Sequence, residues 1–318
     1  MKEVSRMFQE KIIFFGTGTF SCAILKMLKE EKYNVIAAVS QPDRPVGRKH
    51  IITATPVHAL CIEMGIPCLQ PEKLRKESHL VTDLKPDLII TCSYGQIVPD
   101  DILACPEKGC LNIHPSLLPK YRGASPMHFP IINGDTETGV SLMEMTHAMD
   151  AGRVYAQVKL PIGPDDTEAD MEPRLREASV QLLKDNLPLY LAGKLVGKAQ
   201  DESQVTVCHT IPREFEQVHF QKEKINALYN HIRGLIDWPL PYGLLEGKRM
   251  KFYKVRREVK NCQEAPGTIM GFDRDSMLVA ADGGVIHVLE MQMEGHKRMN
   301  AQAFRNGMEK EVTGKRFD

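Results

Sequence analysis

The chain opens with a strand, a glycine turn and a helix in immediate succession. Lys11-Ile-Ile-Phe-Phe15 is a short apolar run, Gly16-Thr-Gly18 ends it, and a helix is predicted from about Phe20 to Glu31. This order is the opening of a doubly wound α/β sheet. Gly16-Thr-Gly18 invites a dinucleotide-binding reading, but Ser21 stands where the third glycine should be and no acid clearly follows the second strand, Val35–Val39. The turn therefore reads as a tight βα connection near a site rather than a nucleotide cradle. Pro86-Asp-Leu-Ile-Ile-Thr-Cys-Ser93 is a second strong buried strand, and Tyr94-Gly-Gln-Ile-Val-Pro99 is the loop at its C-terminal end. Ligands of open α/β sheets sit at that end.

Asn112 and His114 stand two apart in Cys110-Leu-Asn-Ile-His-Pro-Ser-Leu-Leu-Pro-Lys-Tyr-Arg-Gly123. On an extended segment that spacing puts both side chains on one face. An amide donor and an imidazole aimed at one point suit a reaction that builds negative charge on a carbonyl oxygen. Pro115 and Pro119 end the strand and fix the turn after it. Asp150, before Ala-Gly, reads by itself as a turn former.

The chain's 318 residues leave room for two domains. No apolar run approaches the ~18 residues of a membrane span, and Met1 to Glu10 is charged, unlike a signal peptide. Eight cysteines without CxxC pairs predict reduced thiols in a cytoplasmic protein, with no metal site. Formal net charge is zero, but Lys248, Arg249, Lys251, Lys254, Arg256, Arg257 and Lys260 are opposed only by Glu258. That cluster is either a solvated strand face or a polyanion-binding surface. Gln41-Pro-Asp-Arg-Pro-Val-Gly-Arg-Lys49 reads as an exposed loop, longer than a connection needs.

The Asn112–Gly123 stretch resembles the signature of folate-dependent formyltransferases, in which Asn-x-His precedes Ser-Leu-Leu-Pro and a later Asp completes the site. The resemblance covers nearly the whole chain after the first ten residues. It implies a triad of Asn112, His114 and Asp150. It also implies a folate site lined by Ser116, Leu117, Leu118 and Pro119 with Tyr94, Gly95 and Ile97. Pro42-Asp-Arg-Pro-Val-Gly-Arg48 is similar to an insertion that contacts tRNA in the methionyl-tRNA formyltransferase family and is lacking in formyltransferases of small amines. The implied tRNA contacts are Arg44, Arg48 and Lys49, joined by Lys248, Arg249 and Lys251. Trp238-Pro and Gly295-His-Lys-Arg-Met299 resemble landmarks of that family's C-terminal domain.

The expected architecture is a Rossmann-like catalytic domain over 1–192, a polar linker over 193–206, and a small OB-like β-barrel over 207–318 built from short strands with glycine turns. Residues 167–192 are expected to form one helix or a broken pair, given Pro173 and Pro188. The activity implied is formyl transfer from 10-formyltetrahydrofolate, a co-substrate, to methionyl initiator tRNA by a monomer without a metal. Two other readings stand beside it. One is formyl transfer to a small amine such as an amino sugar or glycinamide ribonucleotide; the other is a nucleic-acid-binding protein on a dead catalytic fold.

Overall fold

The computed structural model describes residues 9–47 and 50–318. In chain order its elements are β1 (Ile12–Gly16), α1 (Thr19–Glu30), β2 (Val35–Val39), β3 (Arg44–Val46), β4 (Ile51–Thr53), α2 (Pro56–Met64), β5 (Cys68–Leu69), α3 (His79–Thr82), β6 (Leu88–Cys92), α4 (Asp100–Leu103), β7 (Cys110–His114), β8 (Arg122–Gly123), α5 (His128–Ile132), β9 (Glu137–Glu144), β10 (Val154–Pro161) and α6 (Glu168–Leu191). They continue with β11 (Val207–Cys208), α7 (Ile225–Leu235), β12 (Tyr242–Leu245), β13 (Lys248–Val259), β14 (Ile269–Phe272), β15 (Met277–Ala281), β16 (Gly284–Met293), β17 (Met299–Asn300) and α8 (Ala301–Val312). Two compact units result. The first holds residues up to 123 with 139–160 and 174–207; the second holds 124–138, 161–173 and 208–318.

The first unit is built on a seven-stranded sheet of order β10-β9-β7-β6-β1-β2-β5. β1 and β6 are buried at every position, as strands covered on both faces must be. They pair in parallel from Ile12↔Leu88 to Gly16↔Cys92, and β7 continues the parallel set with Thr91↔Asn112. The chain runs outward from β1 through β2 to β5, then returns to the other side of β1 with β6. The order therefore reverses between β1 and β6, and their C-terminal ends open the crevice expected of such sheets. Ser21, where a dinucleotide fingerprint would have glycine, is fully buried; its hydroxyl donates to the Cys92 carbonyl at 2.6 Å. A Cβ on Gly16 would lie 2.6 Å from the Ser21 Cβ, so glycine is required where β1 turns into α1.

α2 starts as the sequence predicts. The Thr55 hydroxyl accepts from the His58 N–H at 3.2 Å, Pro56 takes the first turn, and Gly65 closes the helix in a left-handed conformation. Within the segment predicted as a loop, residues 44–46 are strand. Arg44–Val46 and Ile51–Thr53 form an antiparallel hairpin; the prolines allow it because the hairpin is a free-standing ribbon rather than an interior strand. Its foot is pinned by the Asp43 carboxylate, which accepts from Gln70 Nε2 at 2.7 Å, from the Thr55 N–H at 3.2 Å and pairs with the His58 ring at 2.9 Å.

The second unit curls an antiparallel sheet, order β12-β13-β16-β15-β14 with β17 on β16, into a half-barrel. The last residues stitch its two edges: Phe317 bridges to Leu245 on β12, and Arg316 bridges to Thr268 beside β14. Phe220, Phe252 and Phe317 meet in its core, with ring centroids of 5.2 Å for Phe220–Phe317 and 5.8 Å for Phe252–Phe317. The expected OB-like barrel is thus present, but α8 was not foreseen. Its start signal is Asn300, whose side chain caps the Ala303 N–H at 2.8 Å. Residues 168–191 form one continuous helix, which resolves the alternative left open by its two prolines. Among the described residues no helix is long and apolar enough to cross a membrane.

Glu168, in the first turn of α6, is buried within the second unit. Burial, then the Glu172 and Asp237 charges, push its carboxyl up to about 7. A raised folded-state value favours the protonated form, so the stability Glu168 contributes is complete below the ordinary glutamate range and is lost as pH rises through about 7. Glu168→Gln should therefore stabilise the protein at pH 8, by on the order of 2–3 kcal/mol, and change little at pH 4.5. Thermal unfolding at the two pH values checks this. A gain of the same size at both would mean the side chain's charge is not involved.

Candidate active site

Asn112 and His114 sit on one face of β7 at its C-terminal end, with His114 buried and Asn112 partly exposed. His114 is held by the loop that follows it. Its Nε2 donates to the Tyr121 carbonyl at 2.8 Å, because a carbonyl can only accept. That bond places a proton on Nε2 and leaves Nδ1 as the edge of the ring turned to the site. Nδ1 faces the Asp150 carboxylate, with Oδ2 at 3.7 Å. Asp150 Oδ2 in turn accepts from the Gly123 N–H at 2.9 Å. Of the three side chains implied by the Asn-x-His signature, His114 and Asp150 face each other and Asn112 shares the face of β7 with His114, although the orientation of the imidazole comes from a main-chain carbonyl rather than from Asp150. Asn112's amide has no hydrogen-bond partner among the described residues.

Three residues of the site take left-handed backbone conformations. Tyr121 has φ of +61° and Asp150 of +50°, and Ser93, at the end of β6, has +50°. Left-handed conformations at non-glycine residues cost about 1 kcal/mol or more each and persist where the surroundings enforce them.

The Ser116–Pro119 loop is set from beneath. Ser116 is fully buried, and its hydroxyl donates to the Lys120 carbonyl at 2.7 Å. Ser141 on β9 donates to the Ser116 carbonyl at 2.6 Å and accepts from the Leu118 N–H at 3.1 Å. Gln157 on β10 donates to the Leu118 carbonyl at 2.9 Å and to Ser141 Oγ at 2.8 Å. Ser116 is thus committed to holding the loop, which leaves Leu117, half-buried, and Pro119 as its outward surface. Leu117 rests on Gly139, where an added Cβ would come within 2.5 Å of its Cδ2 and 2.0 Å of the Val158 carbonyl.

In the loop after β6, Tyr94 points into the core, edge-on to Phe15 at 5.1 Å, and its carbonyl accepts from the Thr17 hydroxyl at 2.7 Å. Its ring is not part of an open surface; the loop offers its backbone there. Gly95 takes a φ of +97° that a side chain would strain, and Ile97 is 87% exposed. An exposed isoleucine, a glycine and a leucine at the C-terminal ends of neighbouring strands suit a flat apolar ring system.

Of the predicted tRNA contacts, Arg44 is exposed on the hairpin and pairs with Glu72 at 2.7 Å. Arg48 and Lys49 lie outside the described residues. Lys248, Arg249 and Lys251 lie on β13. Arg249 stacks over the Tyr242 ring at 4.8 Å, and with Lys251 it lines a cavity of about 320 Å³ shared with Gln292 and Glu294. Further along, Arg256 on β13 pairs with Asp273 and Asp275, and Lys260, just past the strand's end, pairs with Glu258. Lys248 and Lys251, like the exposed Lys254, have no carboxylate partner within ion-pair distance among the described residues. Among the described residues no cluster of His, Cys, Asp or Glu could hold a metal ion.

Residues 10–187 match the model of the formyl transferase family, and residues 210–309 match that of the formyl transferase C-terminal domain. The chain belongs to the formyltransferase family. Among its curated relatives, a methionyl-tRNA formyltransferase of Halalkalibacterium halodurans is 42% identical over 300 residues, covering 93% of this chain and 94% of that one. One of Listeria innocua is 42% identical over 93% of this chain and 95% of its own, and one of Bacillus cytotoxicus is 40% identical over 95% and 97%. Solved structures share the fold. HypX from Aquifex aeolicus, in complex with tetrahydrofolic acid, superposes with a TM-score of 0.65 at 17% identity, covering 96% of this chain and 48% of that one. An N-formyltransferase from Helicobacter canadensis, in complex with folinic acid and dTDP-3-aminofucose, gives 0.67 at 18% identity over 88% and 99%.

Proposed function

We propose that this formyltransferase moves the formyl group of 10-formyltetrahydrofolate to the α-amino group of methionyl initiator tRNA. The observation that carries the reading is the pairing of His114 with Asp150, with Asn112 on the same strand face as His114, in a chain that is 42% identical, over nearly its full length, to curated methionyl-tRNA formyltransferases. Folate would lie across the loops after β6 and β7, where Ile97, Gly95 and Leu117 offer apolar surface. The neutral α-amine attacks the formyl carbon, whose oxygen becomes an oxyanion. The Asn112 amide is unengaged and can donate to that oxygen, and a donor of this kind lowers a barrier by about 3 kcal/mol. His114 presents Nδ1, the nitrogen not tied to Tyr121, and when protonated it supplies a second donor or passes a proton on. Asp150, anchored by the Gly123 N–H, holds the water through which the amine's proton reaches N10 of the folate as the C–N10 bond breaks. No group on the protein becomes formylated. One chain supplies all three side chains, so the proposed site needs no second copy.

The hairpin β3–β4 and the Lys248–Lys251 end of β13 would receive tRNA, because each presents cations to a polyanion. A small amine has no use for either. The test is to supply 10-formyltetrahydrofolate labelled in its formyl carbon, with initiator tRNA charged with methionine, and to identify the product after mild base release from the tRNA. Labelled N-formylmethionine supports the proposal. Charged tRNA recovered unformylated, with label on an amino sugar supplied in parallel, would replace it with the small-amine reading.

A further inference from the structure

Residues 193–206 read in the sequence as a connector, but their second half is bonded to the site. Gln200 Nε2 donates to the Asp150 carbonyl at 2.7 Å and to the Gly152 carbonyl at 2.8 Å. Its Oε1 accepts from Arg122 Nη2 at 2.9 Å and Nε at 3.1 Å. The amide's orientation follows from chemistry: Arg122 can only donate and the two carbonyls can only accept. Arg122 is 8% exposed, and Glu202, also in the connector, takes its guanidinium at 2.8 Å and 3.2 Å. Thr206 completes the frame by accepting from the Tyr121 N–H at 2.9 Å.

The consequence lies in what these groups hold. Asp150 stands in a left-handed turn, a conformation that an Asp adopts when its short side chain is hydrogen-bonded nearby, as it is here to the Gly123 N–H. Two restraints keep it there: Gln200 on its carbonyl and the Gly123 N–H on its carboxylate. Arg122 and Gly123 are adjacent, so the residue that orients Gln200 and the residue that holds the carboxylate are joined by one peptide bond. Tyr121, next in line, carries the carbonyl that fixes His114. We infer that Gln200 is a positioning residue for formyl transfer: set by Arg122, it holds the Asp150 turn so that the carboxylate stays on the Nδ1 side of His114. The inference rests on the formyl-transfer reading of the site.

Gln200→Ala removes the donor and the acceptor together. Gln200→Glu keeps an acceptor for Arg122 and loses the donor to Asp150. A residue needed only to accompany Arg122 would be replaced well by glutamate; a residue needed to hold the Asp150 carbonyl would not. The test compares both variants, each in the wild-type and the Asp150→Ala background, under saturating folate and acceptor. In the wild-type background both should lower kcat by about 10- to 100-fold, the loss expected of a misplacement near 1 Å, with KM for either substrate changed by less than about 3-fold. In the Asp150→Ala background neither should lower kcat further, because Gln200 acts through Asp150. Wild-type kcat in Gln200→Glu, or the same fold-loss in both backgrounds, would overturn the inference. Failure of the functional reading shows separately, in the unmutated enzyme. Were that enzyme to formylate a small amine instead of charged tRNA, the same comparison run on that amine would still decide the role of Gln200.

Discussion

A His114→Ala variant should fold normally and transfer formyl groups about 10²- to 10⁴-fold more slowly than the native chain. The ring lies at the C-terminal end of β7, held by one hydrogen bond to the Tyr121 carbonyl, and it faces the Asp150 carboxylate rather than the core clusters of the unit. Removing it takes away the Nδ1 that faces Asp150, while β7 keeps its pairing to β6 and β9. The loss should therefore fall on kcat, with folate affinity nearly unchanged, and circular dichroism and thermal unfolding should match the native chain. Asn112→Asp should be almost as damaging, since a carboxylate repels the oxyanion that an amide stabilises. Near-native turnover in a folded His114→Ala protein would remove His114 from the chemistry.

An Arg44→Ala variant should lose most of its kcat/KM for charged initiator tRNA, by about 10-fold or more, the worth of a well-placed ionic contact, and keep its affinity for folate. The hairpin that carries Arg44 is braced at its foot by Asp43, Thr55, His58 and Gln70, so its cation is presented on an ordered ribbon, which reduces the entropy lost on binding. Arg44 is not idle without tRNA: it pairs with Glu72. Both side chains are more than half exposed, and such surface pairs contribute only about 0–1 kcal/mol. Exchanging Glu72 for a phosphate is therefore inexpensive, and Glu72→Gln should leave kcat/KM unchanged or slightly raised. Steady-state kinetics with tRNA and folate varied separately measure both effects. Unaltered tRNA parameters in Arg44→Ala would make the hairpin a surface insertion.

Much of the fold was legible in the sequence because the signals were local and strong. Uninterrupted apolar runs at β1 and β6, the Thr55-Pro56 cap of α2 and the glycine turns of the barrel each declare an element within a few residues. Asn112 and His114 were legible for the same reason, since a spacing of two on a strand fixes a shared face. What escaped was non-local. The carbonyl that orients His114 belongs to Tyr121, and a carbonyl leaves no mark in a sequence. Gln200 acts across 50 residues on Asp150, inside a polar stretch whose composition is that of a connector. Ser141 and Gln157 look like ordinary alternation in β9 and β10 until the Ser116–Pro119 loop lands on them. The hairpin at 44–53 was hidden by its own prolines, which argue against an interior strand but not against an isolated ribbon.

The central claim is that one site, formed by Asn112, His114 and Asp150, formylates the amine of a charged tRNA. It is tested most directly by measuring kcat/KM for formyl transfer from 10-formyltetrahydrofolate to methionyl initiator tRNA, beside free methionine and a nucleotide-linked amino sugar under the same conditions. Charged tRNA should be used at least about 10³-fold more efficiently than either small amine, a ratio consistent with several ionic contacts outside the site, and the preference should shrink as salt is raised. Equal efficiency for the three acceptors, or a preference for the amino sugar, would contradict the claim.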